Sequence, residues 1–277
     1  MYPLAGGGGA SAQEVLIQAA ATAAPSVVDA VKTTTTWGAM PDLLVKCSTE
    51  TSYCGDGVYN ADGTDQTESQ STMALQSSVK YSFLLYNDGP QAASFNLTGP
   101  AAPSGWSVRY YMSGQGEKTS AFTGSGYTVS DLAAGGYVAG WVTVAPEAAG
   151  GGATTLDVLI TAAAVSSPST VDAVEAVTTW ITSPDMLVRN ISESTLIGDN
   201  IRNTNGTNQT KSQTTPANTK ATYLFAIYND GPAPASYKLT GPAGNASWAI
   251  RYCIQGAGEQ TTAFTGSGFT VSNLAVG

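Results

Sequence analysis

The oxygen-rich stretch GDGVYNADGTDQTE is the best candidate for metal chemistry in this sequence. Asp56, Asn60, Asp62 and Asp65 lie close together along it, and calcium prefers clustered oxygen ligands from Asp, Asn and backbone carbonyls. The spacing is not that of an EF-hand, whose first and last ligand positions would fall on valine and serine. We predict a calcium site here, with a solvated turn rich in Asp and Asn as the alternative.

Two of the three cysteines flank the same region. Cys47 and Cys54 enclose STETSY, a spacing that suits a short-loop disulfide in an oxidising compartment. Two unlinked thiols are the alternative. Zinc is not favoured, because the chain has no histidine and two sulfurs are too few for a structural zinc site.

The elements that position these residues belong to a unit used about twice. YNDGP occurs at 86–90 and again at 228–232, an offset of 142 residues. Upstream the offset is 143, where PDLLVK at 41–46 is matched by PDMLVR at 184–189. A self-similarity of this length indicates tandem domains of ordinary size rather than a short solenoid repeat.

The boundaries of the copies do not coincide with the first and last residues of the sequence. Residues 14–37 match 157–180, which end the complete copy, whereas Gly277 aligns with Gly135. We predict three parts: 1–37, the last strands of a preceding or neighbouring copy; 38–181, a complete copy; and 182–277, a copy that lacks its last strands.

Two hypotheses explain this phase. In the first, the sequence is an excerpt of a longer repeat protein. In the second, the N-terminal strands complete the truncated copy of a neighbouring molecule by strand addition, since an incomplete sheet exposes unpaired edges. On the second hypothesis Val15, Leu16 and Ile17 form the assembly strand and enter that open edge. Both hypotheses imply an extended assembly.

The strands are predicted from alternation. In SVKYSFLLYNDGP, Val79, Tyr81, Phe83 and Leu85 alternate with a second set of side chains, the period of a half-buried strand. The NDGP that follows combines turn formers with a residue that ends ladder pairing. Turn signals recur every 8 to 12 residues or so, which predicts an all-β chain of sandwich domains.

Several of these motifs resemble a known family. PDLLV, YNDGP followed by FNLTGP, WSVRYY and VTVAPEAAGGG are similar to bacterial Ig-like repeats of the CARDB (cell-adhesion-related) type. The resemblance covers essentially the whole chain. It implies tandem Ig-like β-sandwiches of a secreted or cell-surface protein with scaffold or adhesion roles, and it brings no catalytic residues.

Catalysis is not favoured by the residue types. The chain contains no histidine, which excludes Ser–His–Asp and Cys–His chemistry. Paired carboxylates could still act as in glycosidases. The acidic residues found at matching positions, such as Asp42 with Asp185 and Asp29 with Asp172, mostly abut turns or strand ends, where structural roles suffice. We predict that the chain is not an enzyme.

Composition points to an exported protein. Only 11% of residues are charged, against roughly 25% in ordinary soluble domains. A net charge of −9 with scattered basic residues argues against nucleic acid, and no apolar run reaches the ~20 residues of a membrane helix. We predict an extracellular or cell-surface location. Glycosylation candidates are Asn96, Asn190, Asn205, Asn208 and Asn245.

Two functions compete. The first is a structural protein of an extracellular filament or cell-surface layer, whose partner is a further copy of itself. The alternative is a carbohydrate-binding or adhesin module that stacks cell-surface glycans on exposed aromatic rings. Trp106 and Trp248 head alternating strands and are expected in cores.

Overall fold

The structure is a computed structural model and describes residues 12–73, 77–147 and 154–277. Among the described residues, strands account for 52% and helices for 4%, so the predicted all-β class is confirmed. Within the described part of the chain, no helix is long and apolar enough to cross a membrane.

The chain begins with an isolated hairpin. Its two strands are β1 (Ala12–Ala21) and β2 (Ala24–Thr36), which pair antiparallel with each other. Neither strand joins a larger sheet among the described residues.

The complete copy is a sandwich of two five-stranded sheets. Its elements are β3 (Pro41–Cys47), β4 (Thr67–Thr72), β5 (Val79–Asn87), β6 (Ala93–Thr98), β7 (Trp106–Met112), β8 (Gly116–Glu117), α1 (Thr119–Phe122), β9 (Tyr127–Leu132), β10 (Tyr137–Pro146), β11 (Thr155–Ala164) and β12 (Ser167–Trp180). The first sheet has the order β3-β5-β10-β7-β8, and the second β4-β12-β11-β6-β9. The predicted β-sandwich is therefore confirmed.

The core lies between these sheets and follows the alternation of the sequence. Tyr81, Phe83 and Leu85 of β5 are fully buried, as their period of two predicts. At one end Trp106 meets Trp180 edge to face, with ring centroids 6.3 Å apart. Edge-to-face rings add to the stabilisation that their burial provides.

The second copy forms smaller sheets. Its elements are β13 (Pro184–Asn190), β14 (Tyr223–Asn229), β15 (Ala235–Leu239), β16 (Cys253–Ile254), β17 (Gly258–Glu259), α2 (Thr261–Thr265) and β18 (Phe269–Leu274). The strands pair as β13-β14, β15-β18 and β16-β17, the same neighbours as β3-β5, β6-β9 and β7-β8.

The repeated pentapeptide YNDGP works as a turn that is fastened to a neighbouring strand. The buried Asn87 side chain accepts a hydrogen bond from Gly89 N–H (3.0 Å) and donates to the carbonyls of Gln91 and Leu132 (both 2.8 Å). Asn229 makes the matching three bonds in the second copy. This motif therefore has a structural role in both copies.

Candidate functional site

The hairpin of β1 and β2 exposes apolar side chains that none of the described residues covers. Leu16, Ile17 and Val31 are 57%, 59% and 59% exposed, and Val15 is half-buried. A two-stranded hairpin without a packing partner is only marginally stable in water. This hairpin therefore presents an apolar surface that a partner could cover.

The complete copy contains the same hairpin in buried form. β11 and β12 lie 143 residues after β1 and β2, and Thr155 pairs with Thr179 as Ala12 pairs with Thr36. Both hairpins shift register at the same place near the turn. Val158 and Ile160, the counterparts of Val15 and Ile17, are fully buried.

The second copy is open where this hairpin would lie. Residues 182–277 contain no counterparts of β10, β11 and β12. As a result Trp248 is 64% exposed, whereas its counterpart Trp106 is 4% exposed. Tyr223 is 41% exposed and its counterpart Tyr81 is fully buried. The second copy thus presents an incomplete core.

A buried carboxylate fastens β12 to the loop between β3 and β4. Asp172 accepts hydrogen bonds from Leu43 N–H (2.5 Å), Asn60 N–H (3.0 Å) and the Gln66 side-chain amide (2.9 Å). Burial raises the pKa of Asp172, and these hydrogen bonds oppose that rise. Asp172 is thus a buried polar link between the hairpin and the other half of the sandwich, beside the bond that the Tyr81 hydroxyl donates to the Val177 carbonyl.

A second buried carboxylate lies beside it. Asp42 accepts a hydrogen bond from Gly57 N–H (3.1 Å), while its Oδ1 has no partner among the described residues. Burial, together with the neighbouring Asp88 and Asp172, raises the pKa of Asp42 to about 7. Its counterpart Asp185 is also buried, and its Oδ1 likewise has no hydrogen-bond partner in the described part of the chain.

The predicted calcium ligands lie on the loop between β3 and β4, where backbone groups already occupy much of their bonding capacity. Asn60 Oδ1 accepts from the N–H groups of Gly63 (2.7 Å) and Asp62 (3.2 Å). Asp62 accepts from Thr64 N–H (3.1 Å), which lowers its pKa. Asp56 and Asp65 are exposed. The calcium site stays a prediction.

The two cysteines lie beside carboxylates. Cys47 and Cys54 are free thiols in the structure, so the disulfide between them stays a prediction. Burial, followed by the effect of Glu68, raises the pKa of Cys47 to about 12 and that of Cys54 to about 11. The ligand atoms of Cys47, Glu50 and Glu68 lie within 4.8 Å of one another.

The second copy replaces this cluster by an ion pair. Lys211 stands where the complete copy has Glu68, and its Nζ lies 3.0 Å from Glu193, the counterpart of Glu50. Asn190 and Ile197 replace the two cysteines. The cysteine–carboxylate cluster is thus specific to the complete copy.

The predicted glycosylation sites differ in exposure. Asn205, Asn208 and Asn245 are exposed, while Asn96 and Asn190 are half-buried. The Asn96 side chain donates to the Ser125 carbonyl (3.1 Å). None of these sites is tested by the structure, and they stay predictions.

An aromatic strip on the outer face of the first sheet was not foreseen from the sequence. The rings of Tyr111 and Trp141 stack 5.2 Å apart, and Lys80 Nζ lies 4.5 Å from the Trp141 ring. Tyr86 and Tyr137 form a second pair 5.0 Å apart. The sequence pattern that could have predicted the strip is the aromatic residues at outward positions of β5, β7 and β10, which alternate with the buried residues of these strands.

Comparison with known proteins finds no protein-family model and no curated protein that matches this chain. Among solved structures, the chain is similar to a variant of BcpA, the major pilin subunit of Bacillus cereus, with 5% sequence identity and a TM-score of 0.29. The match covers 93% of this chain and 74% of the pilin chain. A likeness of this strength carries no argument about function. The resemblance to CARDB-type repeats stays an interpretation of the motifs.

Proposed function

We propose that this chain is a structural protein of an extracellular filament or cell-surface layer, in which the β1–β2 hairpin enters the open sheet of another copy. One observation carries the proposal: the exposed hairpin has the strand pairing of β11–β12, which is buried in the complete copy. Within residues 182–277, no strand occupies the position that β11 and β12 hold in the complete copy.

The energetics favour this arrangement. Fully burying a side chain such as Val15 or Ile17 stabilises by about 1.5–3 kcal/mol each. Main-chain hydrogen bonds to β15, the counterpart of β6, on one side and to residues 210–215, which align with β4, on the other would add affinity and fix the orientation. Because β1 and β2 are already paired, docking requires less ordering than the addition of two free strands.

The test uses the full chain, examined by electron microscopy and sedimentation velocity. The variant Val15→Asp with Ile17→Asp places two charges on the side that β11 buries, and we expect it to remain monomeric while the wild type assembles. The control Ala12→Asp with Ser26→Asp adds the same charge where the counterparts Thr155 and Ser169 are exposed. Equal assembly of both variants would exclude the hairpin as the connector.

A second function, glycan binding, is favoured by the aromatic strip. Paired rings on the outer face of a sheet offer flat apolar surface and a neighbouring cation. If the strip binds sugars, Trp141→Ala abolishes retention on a glycan array, while Tyr59→Ala, an aromatic truncation elsewhere, does not. Absence of any glycan binding by the wild-type chain would remove this second function.

A further inference from the structure

The site that receives Asp172 in the complete copy is already formed in the second copy. Asn203, the counterpart of Asn60, accepts from Gly206 N–H and donates to the Thr207 carbonyl (2.8 Å), as Asn60 does with Gly63 and Thr64. The backbone bond from Gln209 N–H to the Gly206 carbonyl is 2.9 Å, the same as its counterpart. The loop therefore keeps its shape without a carboxylate from β12.

The side chain of Gln209 is held in the matching orientation. A Cβ built on Gly198 would lie 3.0 Å from Gln209 Oε1, and a Cβ on its counterpart Gly55 would lie 2.7 Å from Gln66 Oε1. Because Gln209 Oε1 faces Gly198, the amide nitrogen of Gln209 faces the opposite side. In the complete copy that is the side on which Gln66 donates to Asp172.

The hairpin carries a matching carboxylate. Asp29 of β2 is the counterpart of Asp172 and is exposed. Its Oδ1 accepts from Ala30 N–H (2.9 Å), and Asp172 has the same bond with Ala173. The accepting carboxylate and the site that would receive it are thus both formed, on separate parts of the chain.

We propose that Asp29 anchors the hairpin and sets its register in a second copy of this chain. In the docked state Asp29 accepts hydrogen bonds from Met186 N–H, Asn203 N–H and the Gln209 side-chain amide. This inference rests on the proposed function, and it commits to a second copy because the hairpin repeats β11–β12 strand for strand.

A buried anion gives register specificity that apolar contacts alone do not provide. A slip of two residues keeps the apolar face inward but moves Asp29 away from its three donors, which leaves a buried charge unpaired. The register that places Asp29 at its three donors would also pack Trp37 against Trp248, as Trp180 packs against Trp106. The polar anchor thus selects one pairing among several that bury similar apolar area.

The first test compares two acidic residues of the same hairpin. Asp29→Ala removes the anchor, whereas Glu14→Ala removes an equal charge at a position whose counterpart, Asp157, is exposed. We expect Asp29→Ala to raise the critical concentration for assembly at least tenfold, and Glu14→Ala to change it less than twofold. Because Asp29 is exposed in the free chain, its replacement leaves the remaining fold intact.

The second test fixes the register and the partner together. The hydroxyls of Thr161 and Thr98 lie 2.6 Å apart between β11 and β6, and their counterparts are Gln18 and Thr240. With the native cysteines replaced by serine, one chain carries Gln18→Cys and the other Thr240→Cys. We expect a disulfide between the two chains on mixing, and none when Lys238→Cys replaces Thr240→Cys.

The outcomes separate the two proposals. If the wild type does not assemble, or the doubly charged hairpin variant assembles normally, the proposed function fails and the anchor fails with it. If assembly depends on the hairpin but Asp29→Ala behaves as Glu14→Ala, only the anchor is overturned. Equal cross-linking at positions 240 and 238 would also overturn the single register. A further variant carries both Gln18→Cys and Thr240→Cys in one chain. If it forms only monomers with an internal disulfide, the hairpin docks within its own chain and not in another molecule.

Discussion

The complete and second copies share much of their sequence and differ in what that sequence builds. WSVRYY forms β7 along its whole length, whereas in the matching WAIRYC only Cys253 is in a strand, the short β16. The reason is the neighbour: β7 pairs with β10, and residues 182–277 have no counterpart of β10. Strand formation here depends on partners as much as on local preference.

The same comparison separates two uses of polar residues. Asn87 and its counterpart Asn229 share three bonds because those partners are local or lie on strands that both copies have, and Asn229 accepts a further bond from the Tyr237 hydroxyl. Asp172 has no counterpart in residues 182–277, although its three donors are preserved. Under the proposed assembly, Asp29 of another copy would supply the carboxylate that these donors lack.

The largest expected difference concerns the tryptophans. Trp106→Ala should destabilise the complete copy by about 3–5 kcal/mol, the cost of truncating a buried aromatic. Trp248→Ala should change the stability of the free chain by less than about 1 kcal/mol, because Trp248 is exposed. Urea denaturation followed by circular dichroism measures both. Similar losses would mean that the second copy has a closed core in solution.

The next effect concerns the anchor in the complete copy. Asp172→Ala leaves three donors without an acceptor, and we expect a loss of about 2–4 kcal/mol in the free energy of unfolding. Asp29→Ala should leave the unfolding of the monomer unchanged. Urea denaturation of both variants is measured below the critical concentration for assembly. A loss of stability in the Asp29→Ala monomer would contradict the expectation that Asp29 has no buried partner in the free chain.

A smaller effect depends on pH. The pKa of Asp42 is raised from 3.8 to about 7 in the folded state, so its contribution to stability is fully present below pH 3.8 and is lost as the pH rises through about 7. Asp42→Asn should remove this part of the pH dependence, at most about 4 kcal/mol. Urea titrations at several pH values test it. If the free energy of unfolding changed with pH equally in the variant and the wild type, the assignment to Asp42 would be contradicted.

The smallest effect concerns the cysteine–carboxylate cluster. Glu68→Lys copies the arrangement of Lys211 and Glu193 and should lower the pKa of Cys54, because Glu68 is one of the causes that raise it. Alkylation of Cys54 at pH 8 should become several-fold faster. Stability should change by less than about 1 kcal/mol, as is typical of partly exposed ion pairs. Unchanged alkylation would show that burial alone controls this thiol.

Local patterns accounted for much of the fold. The alternation around Tyr81 predicted β5 and its inward side. The repeat also predicted that residues 14–37 match the end of the complete copy. These features depend on neighbours along the chain, which a sequence displays directly.

Sequence patterns predicted only part of the candidate site. Val15, Leu16 and Ile17 followed from the repeat, but the role of Asp29 did not. Asp172 bonds to Leu43, which is 129 residues away, and such a contact depends on how two sheets close. The aromatic strip was missed for a related reason, since it joins outward residues from three strands.

The contact between the two copies has a mechanical consequence. Trp180 is buried in the complete copy, and its indole N–H donates to the Asp230 carbonyl (3.1 Å) of the next copy. Under the proposed assembly, Trp37 and Asp88 of one chain would form the same joint, between a second copy completed by the β1–β2 hairpin and the complete copy that follows it. Every joint would then share one rise and one twist, so the helical repeat of a fibre would be the domain rather than the chain. Under shear, however, only the contacts between a docked hairpin and the sheet that receives it would part, because no backbone crosses them, and fragments would contain whole numbers of chains.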